Sequence, residues 1–144
     1  MARTEIEVAA PPEAVWSVLA DAGAYGEWVV GTKNVARADA EWPEPGSALE
    51  YELGIGPFGI GDRTVVVEAD APRRLVLRAE LKRIGAAAIR LALEPLGGGT
   101  RVVMEEEPVE GVVDALNNRV ADAALAQRNA LALGRLKSLA ESRR

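Results

Sequence analysis

The C-terminal stretch, residues 114–144, constrains the fold of this chain more than any other part. It contains no proline and a single glycine, Gly134, in a run dominated by alanine, leucine, arginine and lysine. Such a composition favours helix at nearly every position, so it predicts a helix much longer than the usual three turns. Because the rest of the chain is mostly predicted strand, we expect a sheet curled around this helix. A hollow that the helix fills only partly would be a ligand pocket.

One side of the predicted helix changes character along its length. Its C-terminal half carries apolar residues at helical spacing, among them Leu133 and Leu136. Leu125 falls on the same side, together with the polar residues Asp122 and Asn129. Buried polar groups need partners from the protein, from water or from a ligand. We therefore expect the C-terminal half to anchor the helix and the ligand to lie beside the N-terminal half.

The residues before this helix predict an antiparallel meander. Residues 4–10 alternate as a half-buried strand, Pro11 and Pro12 begin a short helix that ends near Ala20, and a second short helix covers residues 25–28. The further predicted strands are residues 29–40, 48–55, 62–69, 75–82, 85–94 and a last strand that ends at residues 105–107. Strands joined by short hairpins pair with their neighbours, and their shared apolar face must be buried. The fold class is α+β: six or seven strands around the C-terminal helix, in one domain of residues 1–144.

Composition excludes several classes of function. The chain has no cysteine and no histidine, which rules out thiol catalysis, a Ser-His-Asp triad and zinc held by Cys or His. Its net charge of −5 disfavours nucleic-acid binding. No segment is apolar for long enough to span a bilayer, and residues 1–8 do not resemble a signal peptide, so a cytoplasmic location is expected. We predict no cofactor and no metal.

Two motifs are better explained by local structure than by chemistry. Residues 54–59 match G-x-G-x-x-G, but a β-branched strand follows instead of a helix, and Pro57 lacks an N–H that a phosphate would need. A hairpin loop is therefore predicted there. The acidic run of Glu105, Glu106 and Glu107 with Glu110 has no clear partner ligands for a metal, so we interpret it as a solvated strand end.

Aromatic residues concentrate near the second predicted strand. Trp28, Trp42, Tyr51 and Phe58 lie within a short stretch of a chain that is only 4% aromatic. Aromatic side chains that line a cleft suit an apolar ligand. Trp28 fits a cleft and a filled core equally well, whereas core filling is favoured for Trp42.

The orientation of the strand at residues 62–69 stays open. If Val65 faces inward, so does Arg63, which could then bind an acidic or carbonyl group. If Val66 faces inward, Asp62 and Thr64 face inward instead. The run of three valines blurs the alternation, and an Arg63 that faces solvent is the favoured alternative.

A series of short motifs along the chain resembles a known superfamily. In order, they are Ala10-Pro11-Pro12-Glu13-Ala14-Val15-Trp16, Leu19-Ala20-Asp21, Tyr25, Trp28, Trp42-Pro43, Pro45-Gly46-Ser47, Asp62-Arg63-Thr64, Pro72-Arg73-Arg74-Leu75, Gly98-Gly99-Thr100-Arg101-Val102, Arg128-Asn129, Arg135-Leu136 and Leu139-Ala140-Glu141. Their order resembles the START-like or Bet v 1-like proteins, also called SRPBCC or polyketide cyclase/dehydrase proteins. The resemblance covers essentially the whole chain.

The resemblance implies a helix-grip fold with a cavity between the sheet and the C-terminal helix. It also implies a ligand, since members bind lipids, sterols, polyketides, quinones or plant hormones. Some members are aromatase/cyclases and many are non-catalytic carriers. Without histidine, cyclase chemistry would have to rely on Arg, Tyr, Asp, Glu or water, or on orienting a flexible polyketone so that its ends meet.

We expect the chain to bind a small hydrophobic molecule of the lipid, polyketide or isoprenoid class, and we favour a non-catalytic binding protein. The residues expected at the site are Trp28, Leu49, Tyr51, Leu53, Phe58, Asp62, Thr64, Leu77, Leu91, Met104, Asp122, Leu125 and Asn129. The alternative is a polyketide aromatase/cyclase that acts in the same cavity, with Arg63 and Asn129 as catalytic candidates. A scaffold domain with a solidly packed interior is a third hypothesis. A homodimer is compatible with all three hypotheses.

Overall fold

The computed structural model of the chain describes residues 2–30, 32–53, 60–81, 85–111 and 119–143. Over these residues the chain forms seven strands and three α-helices, with a short 3-10 turn, Ala22–Ala24, before the second helix. The strands are β1 (Ala2–Val8), β2 (Thr32–Ala38), β3 (Ala48–Leu53), β4 (Ile60–Asp70), β5 (Arg74–Leu81), β6 (Gly85–Leu96) and β7 (Gly99–Gly111). The helices are α1 (Pro12–Leu19), α2 (Tyr25–Trp28) and α3 (Arg119–Ser142).

All seven described strands belong to one antiparallel sheet, in the order β1-β7-β6-β5-β4-β3-β2. From β2 to β7 each strand pairs with the next one along the chain, so the predicted meander is confirmed. β1 pairs with β7, with Thr4 opposite Met104, and so occupies the edge at the other end of the sheet. The sheet curves around α3, which confirms the α+β helix-grip fold.

The inner face of the sheet is continuous because the strand register aligns its apolar residues. Leu91 on β6 lies opposite Leu75 on β5 and opposite Met104 on β7, and all three side chains are buried. The opposite face carries exposed carboxylates such as Glu50 and Glu94. A sheet with one apolar face must bury that face, and here the helices cover it.

On β4 the structure resolves the orientation that the three valines left open. Thr64 and Val66 are buried on the inner face, whereas Arg63 and Val67 are exposed on the outer face. Arg63 therefore faces solvent, which was the favoured alternative.

Helix α3 packs against β1, β7, α1 and α2. Its buried residues recur at helical spacing: Asn129, Ala132, Leu133, Leu136 and Ala140. Leu125 and Leu139 on the same side are half-buried. The predicted side of the helix is thus the buried one, and the apolar residues concentrate in its C-terminal half. The predicted helix begins at residue 114, whereas the described helix begins at Arg119 and residues 112–118 lie outside the described part of the chain.

Polar contacts fix the C-terminal end of α3 to the start of the chain. Lys137 Nζ donates to the Glu7 carbonyl oxygen at 2.8 Å, and the Ala9 amide donates to Glu141 Oε2 at 2.8 Å. Arg143 lies 2.8 Å from Asp21 Oδ2. These contacts support the prediction that this half of the helix is an anchor.

Strand β7 is longer than the sequence indicated. The prediction ended it at residues 105–107, but it continues to Gly111, with Pro108 opposite Ala87. The pairing shifts between Ala86 and Ala87, and a proline without an N–H is tolerated at such an irregularity. Strand β1 likewise begins at Ala2, earlier than the predicted start at residue 4.

Candidate ligand-binding site

Three hydroxyl groups form a chain of hydrogen bonds in the interior, where β3 and β4 face the start of α2. Thr64 Oγ1 on β4 lies 2.7 Å from the Tyr51 hydroxyl on β3 and 3.2 Å from the Tyr25 hydroxyl at the start of α2. All three residues are buried. Thr64 reaches the cluster because it lies with Val66 on the inner face of its strand. A hydroxyl both donates and accepts, so the three groups can redistribute their hydrogen bonds when a further polar group approaches.

Tyr25 sits at the centre of the aromatic residues. Its ring lies 5.2 Å from the Tyr51 ring, 5.8 Å from the Trp28 ring and 6.4 Å from the Trp42 ring, measured between centroids. Burial raises the pKa of the Tyr25 phenol, and the hydrogen bonds with Thr64 and Tyr51 only partly offset this effect. The phenol therefore keeps its proton at neutral pH and remains a hydrogen-bond donor.

A second polar group lies where β7 faces α3. Asn129 Nδ2 donates to Glu106 Oε1 at 3.0 Å, and Arg128 Nη1 lies 3.8 Å from the same oxygen. Arg128 Nη2 also donates to the Val30 carbonyl oxygen at 2.8 Å. Glu106 is 6% exposed and Asn129 is fully buried. The chain thus holds a carboxylate in its interior by giving it one amide and one guanidinium as partners.

The two polar groups lie on elements that pack against each other. Tyr25 begins α2, and α2 packs against α3, which carries Arg128 and Asn129. The charges of Arg128 and Glu106 also act on the Tyr25 phenol: Arg128 lowers its pKa and Glu106 raises it. We call the two groups together the polar region; its residues are Tyr25, Tyr51, Thr64, Glu106, Arg128 and Asn129.

Two buried polar atoms in this part of the fold have no hydrogen-bond partner among the residues that the structure describes. They are Asn129 Oδ1 and the indole nitrogen Nε1 of Trp28. Trp42 offers a contrast, because its Nε1 donates to the Leu19 carbonyl oxygen at 3.1 Å. Native proteins leave very few buried polar atoms unpaired, so each such atom requires an explanation.

The structure brings most of the predicted site residues to the interior. The buried ones are Trp28, Leu49, Tyr51, Thr64, Leu77, Leu91, Met104 and Asn129, and Leu125 is half-buried. Arg63, a catalytic candidate, is exposed on the outer face and lies apart from the polar region. Phe58 and the glycine motif at residues 54–59 lie outside the described residues, as do the side chains of Leu53, Asp62 and Asp122.

Three residues of the polar region were not predicted as site residues: Tyr25, Glu106 and Arg128. The expectation that the acidic run is a solvated strand end was wrong for Glu106. The alternation that places Val102 and Met104 inward continues two residues further and places Glu106 inward as well. This alternation was the available signal, and the charge of the residue outweighed it in the prediction. Glu105 and Glu107, in contrast, are half-buried.

An open groove lies along α3, and none of the residues of the polar region lines it. Its volume is about 440 Å³, and it is lined by Glu27, Ala130, Leu131, Gly134, Arg135, Ser138 and Leu139. Within the described part of the chain, no group of three or more acidic, cysteine or histidine side chains could hold a metal ion. Nor is any described helix both long and apolar enough to cross a membrane.

The curved sheet, the long C-terminal helix and the enclosed polar region define a helix-grip protein. The chain belongs to the family described as "Polyketide cyclase / dehydrase and lipid transport", an SRPBCC-type family whose sequence profile matches residues 2–141. This match confirms the resemblance that the short motifs indicated. None of the curated protein sequences compared with the chain is significantly similar to it.

Several solved structures share the fold. CV1439 from Chromobacterium violaceum is 18% identical, with a TM-score of 0.75 over 96% of this chain and 95% of that one. TTHA0849 from Thermus thermophilus is 16% identical, with a TM-score of 0.71 over 98% of this chain and 97% of that one. DynU16, a protein in the dynemicin biosynthetic locus, is 17% identical, with a TM-score of 0.73 over 98% of this chain and 47% of that one. At such identities the likeness shows the fold alone.

Proposed function

We propose that this protein binds a small hydrophobic molecule between the inner face of the sheet and the N-terminal half of α3. The observation that carries the proposal is the polar region itself. Glu106, Asn129 and Thr64 are buried in an interior whose other inner-face residues, such as Leu91 and Met104, are apolar. An apolar body would contact the sheet while its polar end contacts this region.

Stability alone does not account for these residues. Moving a carboxylate out of water costs several kcal/mol, and apolar residues of similar size often stabilise a fold as well or better. A chain that retains Glu106 and Asn129 in its interior, with the half-buried Arg128 beside them, gains polar groups at fixed positions. Such groups orient a ligand, which is the usual division of roles in pockets that are mostly apolar. The family description, which includes lipid transport, supports the same function.

The proposal can be tested with a neutral fluorescent probe, N-phenyl-1-naphthylamine. The wild-type protein should bind it saturably, with one probe per chain, and organic extraction of freshly purified protein should yield a hydrophobic molecule detectable by mass spectrometry. Leu125→Trp should abolish probe binding because the larger ring would occupy the position proposed for the ligand beside the N-terminal half of α3. Leu131→Trp is the matched control, since Leu131 lies on the same helix and is 52% exposed.

The control variant should bind the probe as the wild type does. A wild-type protein that takes up no probe and yields no extracted molecule contradicts the proposal. Loss of binding in Leu131→Trp but not in Leu125→Trp would place the probe in the groove along α3, which Leu131 lines and Leu125 does not, and would also contradict the proposal.

A polyketide cyclase is the second candidate function, and one specific observation favours it. Glu106 is a buried carboxylate, and Tyr25 is a buried phenol that keeps its proton. A carboxylate can remove a proton from the carbon between two carbonyl groups, while a phenol donates a hydrogen bond to the developing enolate oxygen. The resulting enolate carbon would attack another carbonyl carbon of the same polyketide and close a ring, and the alkoxide formed would take the proton back from Glu106.

Replacement of the carboxylate separates this candidate from simple binding. Glu106→Gln should lose ring closure of a poly-β-ketone substrate at least about a hundredfold, because the general base is gone. The variant should keep probe binding and should still unfold in one cooperative thermal transition. Arg63→Ala is the control and should retain turnover, since Arg63 faces solvent. Equal turnover by wild type and Glu106→Gln would remove the cyclase candidate and leave the binding function.

A further inference from the structure

Asn129 Oδ1 and Trp28 Nε1, the two unpaired polar atoms, indicate which functional group the ligand carries, whereas the fold indicates only that the ligand is hydrophobic. We infer that the ligand carries a neutral hydroxyl group that donates to Asn129 Oδ1 and accepts from Trp28 Nε1–H. This inference rests on the proposed binding function. Both atoms are buried and have no partner among the residues that the structure describes. Trp28 is 3% exposed and Asn129 is fully buried, so bulk water does not serve either atom.

The first requirement is a donor, and it follows from the orientation of the Asn129 amide. Its nitrogen donates to Glu106 Oε1 at 3.0 Å. The reverse orientation would place two acceptor oxygens against each other, since an ionised carboxylate only accepts. The free atom of the amide is therefore the carbonyl oxygen. A group that binds there has to offer a hydrogen.

The second requirement is an acceptor, because an indole nitrogen only donates. The protein partners the indole of Trp42 with the Leu19 carbonyl oxygen but provides no such acceptor for Trp28 among the described residues. The two free atoms are carried by helices that pack against each other, since Trp28 ends α2 and Asn129 lies on α3. Arg128, the neighbour of Asn129, donates to the carbonyl oxygen of Val30, two residues after Trp28. A ligand at this junction of α2 and α3 can meet both requirements with one functional group.

Charged groups fit this junction poorly. A ligand carboxylate would face the oxygen of Asn129 and the carboxylate of Glu106, and both would repel it. The one cation in the described part of the junction, Arg128, already serves Glu106 and the Val30 carbonyl oxygen. A ligand ammonium would face the N–H of Trp28 and could not accept from it. A neutral hydroxyl both donates and accepts, so it satisfies both atoms.

Four naphthalenes of similar size test the inference by competition with N-phenyl-1-naphthylamine. 1-Naphthol donates and accepts, 1-methoxynaphthalene only accepts, 1-methylnaphthalene does neither, and 1-naphthoate is an anion. We expect 1-naphthol to bind about tenfold more tightly than 1-methoxynaphthalene, since a site built to pair a hydroxyl discriminates against an analogue that lacks it. 1-Methoxynaphthalene should bind more tightly than 1-methylnaphthalene, and 1-naphthoate should bind most weakly.

Two variants assign these preferences to their atoms. Asn129→Leu should abolish the preference for 1-naphthol over 1-methoxynaphthalene. Trp28→Phe keeps an aromatic ring but removes the N–H, so it should abolish the preference for 1-methoxynaphthalene over 1-methylnaphthalene. The Trp28 variant leaves the bond between Asn129 and Glu106 in place, and it provides the test if Asn129→Leu does not fold.

Each outcome decides a separate point. If 1-naphthol and 1-methylnaphthalene bind equally, or if 1-naphthoate binds most tightly, the inference is overturned while the binding function stands. If both preferences persist in the variants, atoms other than Asn129 Oδ1 and Trp28 Nε1 bind the hydroxyl, and the inference is again overturned. If none of the four compounds displaces the probe and the probe itself does not bind, the proposed function fails.

Discussion

Replacing Arg128 by methionine should destabilise the protein by exposing the cost of the buried Glu106 carboxylate. Methionine keeps much of the volume of the arginine stem but has no charge. The carboxylate would then retain Asn129 as its partner and lose the guanidinium at 3.8 Å. Removal of one partner of a buried charge is strongly destabilising, whereas loss of an exposed ion pair has little effect.

The pair of Arg128 and Glu106 is neither fully buried nor fully exposed, so the expected loss of stability lies between these two cases. At 3.8 Å, two unit charges attract by about 4 kcal/mol when the effective dielectric constant is about 20. The Arg128 side chain is 36% exposed, so water screens part of this attraction and we expect about 1–2 kcal/mol of it to be lost. Loss of the hydrogen bond to the Val30 carbonyl oxygen adds about 1 kcal/mol. The free energy of unfolding should fall by roughly 2–3 kcal/mol in total.

A double-mutant cycle in urea isolates the charge pair. Glu106→Gln removes the charge but keeps an oxygen that can accept from Asn129. In the double variant, Arg128→Met should therefore cost only the part that belongs to the Val30 hydrogen bond, and the coupling free energy should be about 1 kcal/mol or more. A coupling free energy near zero, with additive single variants, would refute the reasoning that Arg128 compensates a buried charge.

Three further predictions concern the scaffold and its response to pH. Gly99→Ala should lower the free energy of unfolding in urea by about 1–3 kcal/mol, because its Cβ would collide with a backbone carbonyl of β1, whereas Gly98→Ala, which has open space, should change it little. Tyr25→Phe should reduce the loss of stability in urea above about pH 10. Burial raises the pKa of the phenol in the folded state, whereas the unfolded chain releases the phenol proton near pH 10.0. The stabilisation present below that pH is therefore lost in the wild type as the pH rises. The hydrogen bond with Arg143 lowers the pKa of Asp21 below its ordinary 3.8, so stability from this partly exposed pair is present above that pH and is lost as pH falls through the lowered pKa. Asp21→Asn should therefore cost roughly 0.5 kcal/mol in urea at pH 7, and this cost should shrink as the pH is lowered below 3.8.

The architecture could be predicted because it follows from local periodicity. Alternation of apolar and polar residues placed the strands, and composition placed the long helix. The short connections then implied a meander, which is what β2 to β7 form. The pairing of β1 with β7 joins distant parts of the chain, so no local pattern specified it. The orientation of β4 was ambiguous for a related reason: Val65, Val66 and Val67 are all compatible with the inner face.

The site was harder to predict because its polar residues contradict the usual meaning of charge in a sequence. An acidic residue is nearly always at the surface unless it is paired. The partner of Glu106 that makes its burial tolerable, Asn129, lies 23 residues further along the chain. Asn129 itself was predicted correctly as buried, since its position on the apolar side of α3 was readable from helical spacing. Helical spacing thus predicts the burial of Asn129, but its pairing with Glu106 is known only once the fold brings β7 and α3 together.

A crystal structure of the protein soaked with 1-naphthol tests the central claim most directly. We predict that the naphthalene ring lies against the inner face near Leu91 and Met104, with its hydroxyl oxygen within hydrogen-bond distance of Asn129 Oδ1 and Trp28 Nε1. Density for 1-naphthol only in the groove along α3 beside Leu131, or in the interior with its hydroxyl far from both atoms, would contradict that claim.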